Sequence, residues 1–164
     1  MVLILPGHLA ASLLAARRWR LPMPVALLGG IAPDLVDKFI FYVLHASHWT
    51  RVPAHSLLVL LASTAALGAM GRRLRAARGW WVAWLAGYGL HLLGDMVPGE
   101  GVLPWLWPFR SYAEIASPER PWFLGGGPVP WATLSLELSL VLVAVFVELA
   151  RRRGSAASAP MAGE

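Results

Sequence analysis

The chain alternates between long apolar stretches and short stretches that are basic or rich in Gly and Pro. Five apolar segments stand out, at residues 2–16, 21–44, 55–70, 79–97 and 131–150. The last two approach the roughly 20 apolar residues that a spanning helix needs, the third is slightly short, and the first is short enough to be re-entrant or interfacial. The pattern predicts an all-α fold, a multi-pass transmembrane helical bundle with four to five membrane segments.

The second segment contains three residues that weaken or interrupt helices, Gly29, Gly30 and Pro33. They expose backbone groups that need other partners. We therefore predict a broken second helix, and a helix broken at membrane depth often lines a site. The alternative is an ordinary proline kink packed against a neighbouring helix.

The remaining stretches define the domain organisation. Residues 98–130 are rich in Gly, Pro and Trp without a sustained period, which indicates a long loop. Residues 154–164 are small and polar, so we expect a disordered tail after a single membrane-embedded domain at 1–153. The first segment lacks a basic start and contains Pro6, Gly7 and His8, so we expect it to stay in the mature protein.

Composition supports the membrane interpretation. Hydrophobic residues make up 57% of the chain, and the mean hydropathy is +0.59. Ten of the fourteen basic residues fall in three clusters. The clusters are Arg17, Arg18 and Arg20; Arg72, Arg73, Arg75 and Arg78; and Arg151, Arg152 and Arg153. Each lies at the end of an apolar segment, so we interpret them as topology signals rather than a nucleic-acid surface. The expected partner is the lipid bilayer, with no nucleic acid.

Arginine-rich short loops stay on the cytoplasmic side of a membrane. Placing the three clusters there puts residues 44–55, residues 98–130 and the N-terminus on the other side, and the C-terminus in the cytoplasm. Every histidine and aspartate then falls in the outer half of the bundle. These residues are His8, Asp34, Asp37, His45, His48, His55, His91 and Asp95.

The spacing of the acidic and histidine residues suggests convergence on one point. Asp34 and Asp37 are three residues apart, and His91 and Asp95 are four apart, so each pair projects from one helix face. An ionisable group in lipid costs about 2.5 kcal/mol or more, which makes these residues functional candidates. We expect Lys38 to point away from the face of Asp34 and Asp37.

Imidazole and carboxylate are the ligands of catalytic Zn²⁺, and carboxylate-rich sets also suit Mn²⁺ or Fe²⁺. The chain has no cysteine, so a metal must be held by nitrogen and oxygen. Because the candidates exceed one tetrahedral shell, either two ions are held or some residues orient the ligands. His91 and Asp95 could instead form a proton relay. His45 fits an interfacial side chain better than a ligand, and Glu137 fits an interhelical hydrogen bond.

Several short motifs occur in a characteristic order. They are Gly7-His8-Leu9, Pro33-Asp34-Leu35-Val36-Asp37, His48 with Ala54-His55-Ser56, Gly87-Tyr88-Gly89-Leu90-His91 through Asp95, and Leu106-Trp107-Pro108-Phe109. Together they resemble the bacterial membrane-bound metal-dependent hydrolases (the YdjM-like proteins), which are distantly similar to zinc-dependent phospholipase C. The resemblance implies metal ligands at His8, Asp34, Asp37, His48, His55, His91 and Asp95, and a place in the bacterial inner membrane.

We therefore expect a hydrolase in which one or two divalent ions, Zn²⁺ first, lower the pKa of a water toward neutrality and direct it at a phosphoester or ester. Asp37 or Asp95 could serve as base, and Arg51 could hold an anionic head group. A site near the non-cytoplasmic face favours an amphipathic or lipid-linked substrate. The alternatives are a non-enzymatic protein that binds or conducts metal ions or protons, and a structural membrane protein without metal. The oligomeric state is open.

Overall fold

A computed structural model describes residues 5–47, 50–73, 79–96, 103–112 and 131–157, with side chains up to 153 in the last range. These residues form five α-helices and no strand, which confirms the all-α prediction for the described chain. The helices are α1 Leu5–Arg18, α2 Met23–Tyr42, α3 Leu57–Arg73, α4 Trp80–Gly94 and α5 Trp131–Ala157. His48, Arg75 and Arg78 lie outside the described residues, as do residues 97–102, 113–130 and 158–164.

Among the described helices, one is long and apolar enough to cross a membrane, over Trp131–Arg153 of α5. Helices α1, α3 and α4 have 14, 17 and 15 residues. Helix α2 has 20 residues, but Asp34, Asp37 and Lys38 interrupt its apolar character. The multi-pass topology therefore stays a prediction that helix length alone does not establish.

Helix α2 is continuous, so the prediction of a break at 29–33 was wrong. The helix runs from Met23 to Tyr42 with Pro33 inside it. Its glycines serve close packing instead: a Cβ on Gly29 would lie 2.7 Å from the carbonyl oxygen of Trp84, and one on Gly30 would collide with Ser12 Oγ. Small residues let helix backbones approach each other closely in membrane proteins.

Helices α1, α2 and α4 pack against one another in all three pairings, while α3 packs on α4 and α5 packs on α1. Among the described residues, the apolar core is small, and most of its larger side chains fall in two clusters. They are Ala16, Ala26 and Ala83, and Leu60, Tyr88 and Leu92. Large apolar side chains such as Phe39, Leu61 and Phe146 are exposed instead. An apolar exterior of this extent is typical of a surface that faces lipid or a partner.

Helix α5 continues past the predicted end of the last apolar segment at residue 150. It carries the arginines at 151–153 and ends at Ala157. The backbone of residues 154–157, which we assigned to the tail, is therefore helical. Residues 103–112 form turns within the predicted long loop.

Candidate metal centre

The structure brings six of the predicted site residues into one buried cluster. His8 comes from α1, Asp34 and Asp37 from α2, His55 from the turn before α3, His91 from the last turn of α4, and Asp95 from the residue that follows α4. Asp34 is 8% exposed and the other five are at most 1% exposed. Buried ionisable groups need a charge or hydrogen-bond partner, so the contacts of each are informative.

Asp37 uses both carboxylate oxygens to hold the turn before α3. Its Oδ1 accepts a hydrogen bond from the backbone N–H of Ala54 at 2.7 Å, and its Oδ2 lies 2.6 Å from His55 Nδ1 and 3.2 Å from the His55 backbone nitrogen. A carboxylate at this position requires the proton of His55 on Nδ1. Asp37 therefore orients His55 and leaves its Nε2 directed into the cluster.

The same turn is fixed from two other sides. The hydroxyl of Tyr88 donates to the carbonyl of Ala54 at 2.5 Å. Ser56 Oγ accepts from the backbone N–H of Val59, the contact of a side-chain cap at the start of α3. Our sequence interpretation did not single out Tyr88 or Ser56, although both lie inside the motifs that carry the family resemblance.

His91 is oriented in the same way by a backbone carbonyl. Its Nδ1 lies 2.7 Å from the carbonyl oxygen of Gly30, which requires the proton on Nδ1. Its Nε2 lies 3.2 Å from His55 Nε2. In neutral rings with these tautomers both Nε2 atoms carry lone pairs, so two acceptors face each other.

Two carboxylate oxygens lie close to the Nε2 atoms of His55 and His91. Asp34 Oδ1 lies 3.8 Å from His55 Nε2 and 4.0 Å from His91 Nε2, and Asp95 Oδ2 lies 3.1 and 3.9 Å from the same atoms. A point equidistant from the two nitrogens and Asp34 Oδ1 lies about 2.1 Å from each, the length of a Zn–N or Zn–O bond. The group Asp34, His55 and His91 could hold a metal ion.

His8 and Asp95 form the other side of the cluster. His8 Nε2 lies 3.2 Å from Asp95 Oδ1, and the His8 ring stacks on His91 with centroids 3.8 Å apart. The two ring nitrogens of His8 and the two carboxylate oxygens of Asp95 are buried, and none of them has a hydrogen bond among the described atoms. His8, His91 and Asp95 form a second group that could hold an ion. The two groups share His91, whose Nδ1 is committed to Gly30.

Lys38 lies at the edge of the cluster, and the expectation that it points away from Asp34 was wrong. Its Nζ is 2.7 Å from Asp34 Oδ2, because residues four apart lie on one helix face. The side chain of Lys38 is 52% exposed. Asp34 is thus bound through one oxygen to an exposed cation, while its other oxygen faces the histidines.

The remaining predicted residues lie elsewhere. Arg51 is half-buried in the turn before His55, and no hydrogen bond or ion pair joins it to the six described cluster residues. His45 is exposed, with a φ of 50°. Glu137 of α5 accepts a hydrogen bond from the backbone N–H of Gly7 at 2.9 Å. That contact is the interhelical hydrogen bond expected of Glu137.

Comparison with known proteins identifies the family of the chain. No curated protein and no solved structure matches the chain. The expected likeness to zinc-dependent phospholipase C therefore has no support from these comparisons. A family model described as YdjM inner membrane protein matches residues 3–162, nearly the whole chain. The chain accordingly belongs to the family of YdjM inner membrane proteins.

Proposed function

We propose that this chain is a metal-dependent hydrolase that holds one divalent ion between His55, His91 and Asp34. One observation carries the proposal: four acceptor atoms converge in a buried space. They are the Nε2 atoms of His55 and His91, Asp34 Oδ1 and Asp95 Oδ2. Four acceptors facing one another without a cation would leave buried polar atoms unpaired, which costs about 1–3 kcal/mol for each group.

A divalent ion suits this arrangement better than a proton does. A single proton can bridge only one pair of acceptors, whereas a divalent ion would be held by His55, His91 and Asp34 together, with Asp95 beside it. The mixture of imidazole and carboxylate favours Zn²⁺, with Mn²⁺ or Fe²⁺ as alternatives. The Nδ1 protons of both histidines are held by Asp37 Oδ2 and the Gly30 carbonyl, the outer-shell arrangement typical of metal-bound histidine. The two sets of possible ligands, Asp34 with His55 and His91, and His8 with His91 and Asp95, share His91. We therefore propose one ion.

We assign different roles to Asp95 and Asp37 beside the ion. The ion would supply the Lewis acidity that lowers the pKa of a water toward neutrality. Asp95 is the candidate base, since it lies beside the proposed ligands and its Oδ1 is 3.2 Å from His8 Nε2, which can take up the proton. Asp37 has both oxygens engaged by the turn at 54–55, so we assign it to positioning His55 rather than to proton transfer.

Lys38 indicates the charge of the substrate. Asp34 is the most exposed of the six cluster residues, so the centre opens on its side. The ammonium of Lys38 lies at that opening and can pair with an anionic group. Leu35 and Phe39, which follow Asp34 and Lys38 in α2, are exposed apolar side chains. This combination supports an amphipathic substrate with a phosphoester, and phospholipase-like chemistry is one form of that activity.

Helices α1 and α3 each have the proposed metal centre near one end and an arginine cluster at the other. This arrangement supports a multi-pass topology. Helix α1 carries His8 near its start and Arg17 and Arg18 in its last turn. Helix α3 follows His55 and ends at Arg72 and Arg73. We propose that the arginine ends lie in the cytoplasm and that the metal centre lies toward the non-cytoplasmic face of the inner membrane.

The decisive experiment measures metal and turnover on the same purified preparation. Metal content is determined by mass spectrometry, and hydrolysis is assayed with soluble phosphoesters, carboxyl esters and phospholipid vesicles. We expect about one ion per chain, and hydrolysis of anionic phosphoesters. His91→Asn should lose both. His45→Asn is the matched control, because that histidine is exposed and lies outside the cluster.

Two further variants sharpen the result. Asp95→Asn should retain most of the metal and lose turnover. Lys38→Met should weaken kcat/KM for anionic esters by about tenfold, which corresponds to about 1.4 kcal/mol, while Lys38→Arg should retain it. A wild-type protein without metal would refute the metal centre. Bound metal without turnover on any ester would favour the rival function, ion or proton conduction, which flux measurements in proteoliposomes would then test.

A further inference from the structure

An apolar groove lies between α1 and α5. We call it the α1–α5 groove; it has a volume of about 590 Å³. Its walls are apolar and include Leu9 and Leu13 of α1, Leu27 of α2, and Val145 of α5. Binding sites for small molecules have volumes of about 300–1,000 Å³, so the groove can accommodate a ligand of substantial size.

The groove is lined on α1 by residues between Pro6 and Leu13, and on α5 by residues between Val141 and Arg152. It begins at Pro6 and ends at Glu148 and Arg152, beside Arg17. From Val141 to Arg152, a helix rises about 16 Å at 1.5 Å per residue. One leaflet of a bilayer has a hydrocarbon thickness of about 15 Å. The groove along α5 therefore has about the length of one acyl chain in one leaflet.

One end of the groove is strongly basic. Glu148 is paired with Arg17 of α1 at 2.9 Å, with Arg151 at 3.0 Å and with Arg152 at 3.2 Å. Three guanidinium groups around one carboxylate leave a surplus of two positive charges. The side chain of Arg152 is 72% exposed, and that of Arg17 is 29% exposed. Both arginines retain donors for an anion.

We propose that the α1–α5 groove binds one anionic phospholipid, with an acyl chain along its apolar walls and the phosphate between Arg17 and Arg152. Arginine pairs well with phosphate because its planar fork donates two parallel hydrogen bonds. Arginines at the end of a spanning helix lie at the level of the lipid head groups. The surplus of positive charge selects a lipid with net negative charge over a zwitterionic lipid of the same length.

This lipid site is separate from the metal centre. Arg17 lies nine residues beyond His8 in α1, about 13 Å along the helix axis. The other end of the groove lies at Pro6, where Glu137 bonds the Gly7 backbone and joins α1 to α5. A lipid in this orientation directs its head group away from the cluster, so it acts as a bound structural lipid and not as the substrate. The inference stands independently of the proposed hydrolase activity.

The test compares lipids that share acyl chains and differ in charge. The full-length protein, purified in a neutral detergent, is titrated with phosphatidylglycerol, with phosphatidylcholine and with inorganic phosphate. Binding is read from thermal unfolding and from native mass spectrometry. We expect phosphatidylglycerol to bind at least about fivefold more tightly than phosphatidylcholine, the selectivity that about one arginine contributes at a membrane surface.

Matched variants separate the two parts of the site. Arg152→Gln should remove most of the charge preference, whereas Arg153→Gln on the same exposed turn should not. Val145→Trp fills the groove and should weaken both lipids, while Val143→Trp changes a similarly exposed residue that does not line it. Equal binding of the two lipids, or identical effects of the Val145 and Val143 variants, would overturn the proposal. Full stabilisation by inorganic phosphate alone would also overturn it, because the acyl chain would then contribute nothing.

Discussion

Asp37 is fully buried and accepts its hydrogen bonds from a single turn, that of Ala54 and His55. Asp34, one helical turn earlier, directs Oδ1 at two histidine nitrogens instead. The two carboxylates therefore have different roles in the proposed centre, one orienting a ligand and the other acting as a ligand. The difference follows from which neighbours their oxygens meet, since the residue type is the same.

The two roles predict different effects of the same substitution. Asp37→Asn should weaken metal affinity by about 10–100-fold, as expected when an outer-shell partner is lost, because an amide nitrogen cannot accept from His55 Nδ1. Its Co²⁺ absorption spectrum should keep the wild-type shape once the ion is bound. Asp34→Asn should alter that spectrum, because a coordinating oxygen is changed. Identical spectra for both variants would contradict the division of roles.

Glycine residues allow α2 and α4, which carry part of the proposed centre, to pack closely. A Cβ on Gly87 of α4 would collide with the carbonyl oxygen of Ala26 and lie 2.9 Å from the backbone nitrogen of Gly30. The carbonyl of Gly30 in turn accepts from His91 Nδ1. The contact between α2 and α4 thus determines both the stability of the bundle and the position of one proposed ligand.

A single methyl group should therefore disturb both properties. Gly87→Ala must separate two backbones, and we expect a loss of about 1–3 kcal/mol in the free energy of unfolding, as for other overpacked cores. Metal affinity should fall with it because His91 moves away from its carbonyl partner. Gly89→Ala is the control, since its Cβ would meet nothing within 4 Å. Equal melting temperatures for the two variants would show that α2 and α4 are not packed this closely.

The whole molecule has an unusual distribution of polarity. Its buried side chains include His8, His55, His91 and Asp95, while many large apolar side chains are exposed. Soluble domains show the opposite preference, because water stabilises exposed charges and excludes apolar surface. A chain with an apolar exterior and a charged interior is suited to lipid, in agreement with its membership of an inner membrane protein family.

The proposed topology can be tested with reporters. Fusions truncated after Arg78 and after Arg153 should place a fluorescent reporter in the cytoplasm, where it folds. A fusion after Ser47 should place alkaline phosphatase outside, where it is active. The reciprocal reporters at the same positions serve as controls. Phosphatase activity at either arginine would contradict the proposed orientation, and with it the proposed location of the metal centre.

The sequence by itself determined the helical class, the family and all six residues of the described cluster. The long apolar segments predict helices, and ionisable residues within such segments need partners, so the group at 8, 34, 37, 55, 91 and 95 could be named in advance. Only the tertiary structure decided that α2 is continuous, because a glycine that weakens an isolated helix also permits close packing against a neighbour. It also decided the individual roles of Asp34, Asp37 and Lys38. Those roles depend on which atoms of other helices lie within about 3 Å, and spacing along one helix carries no information on that.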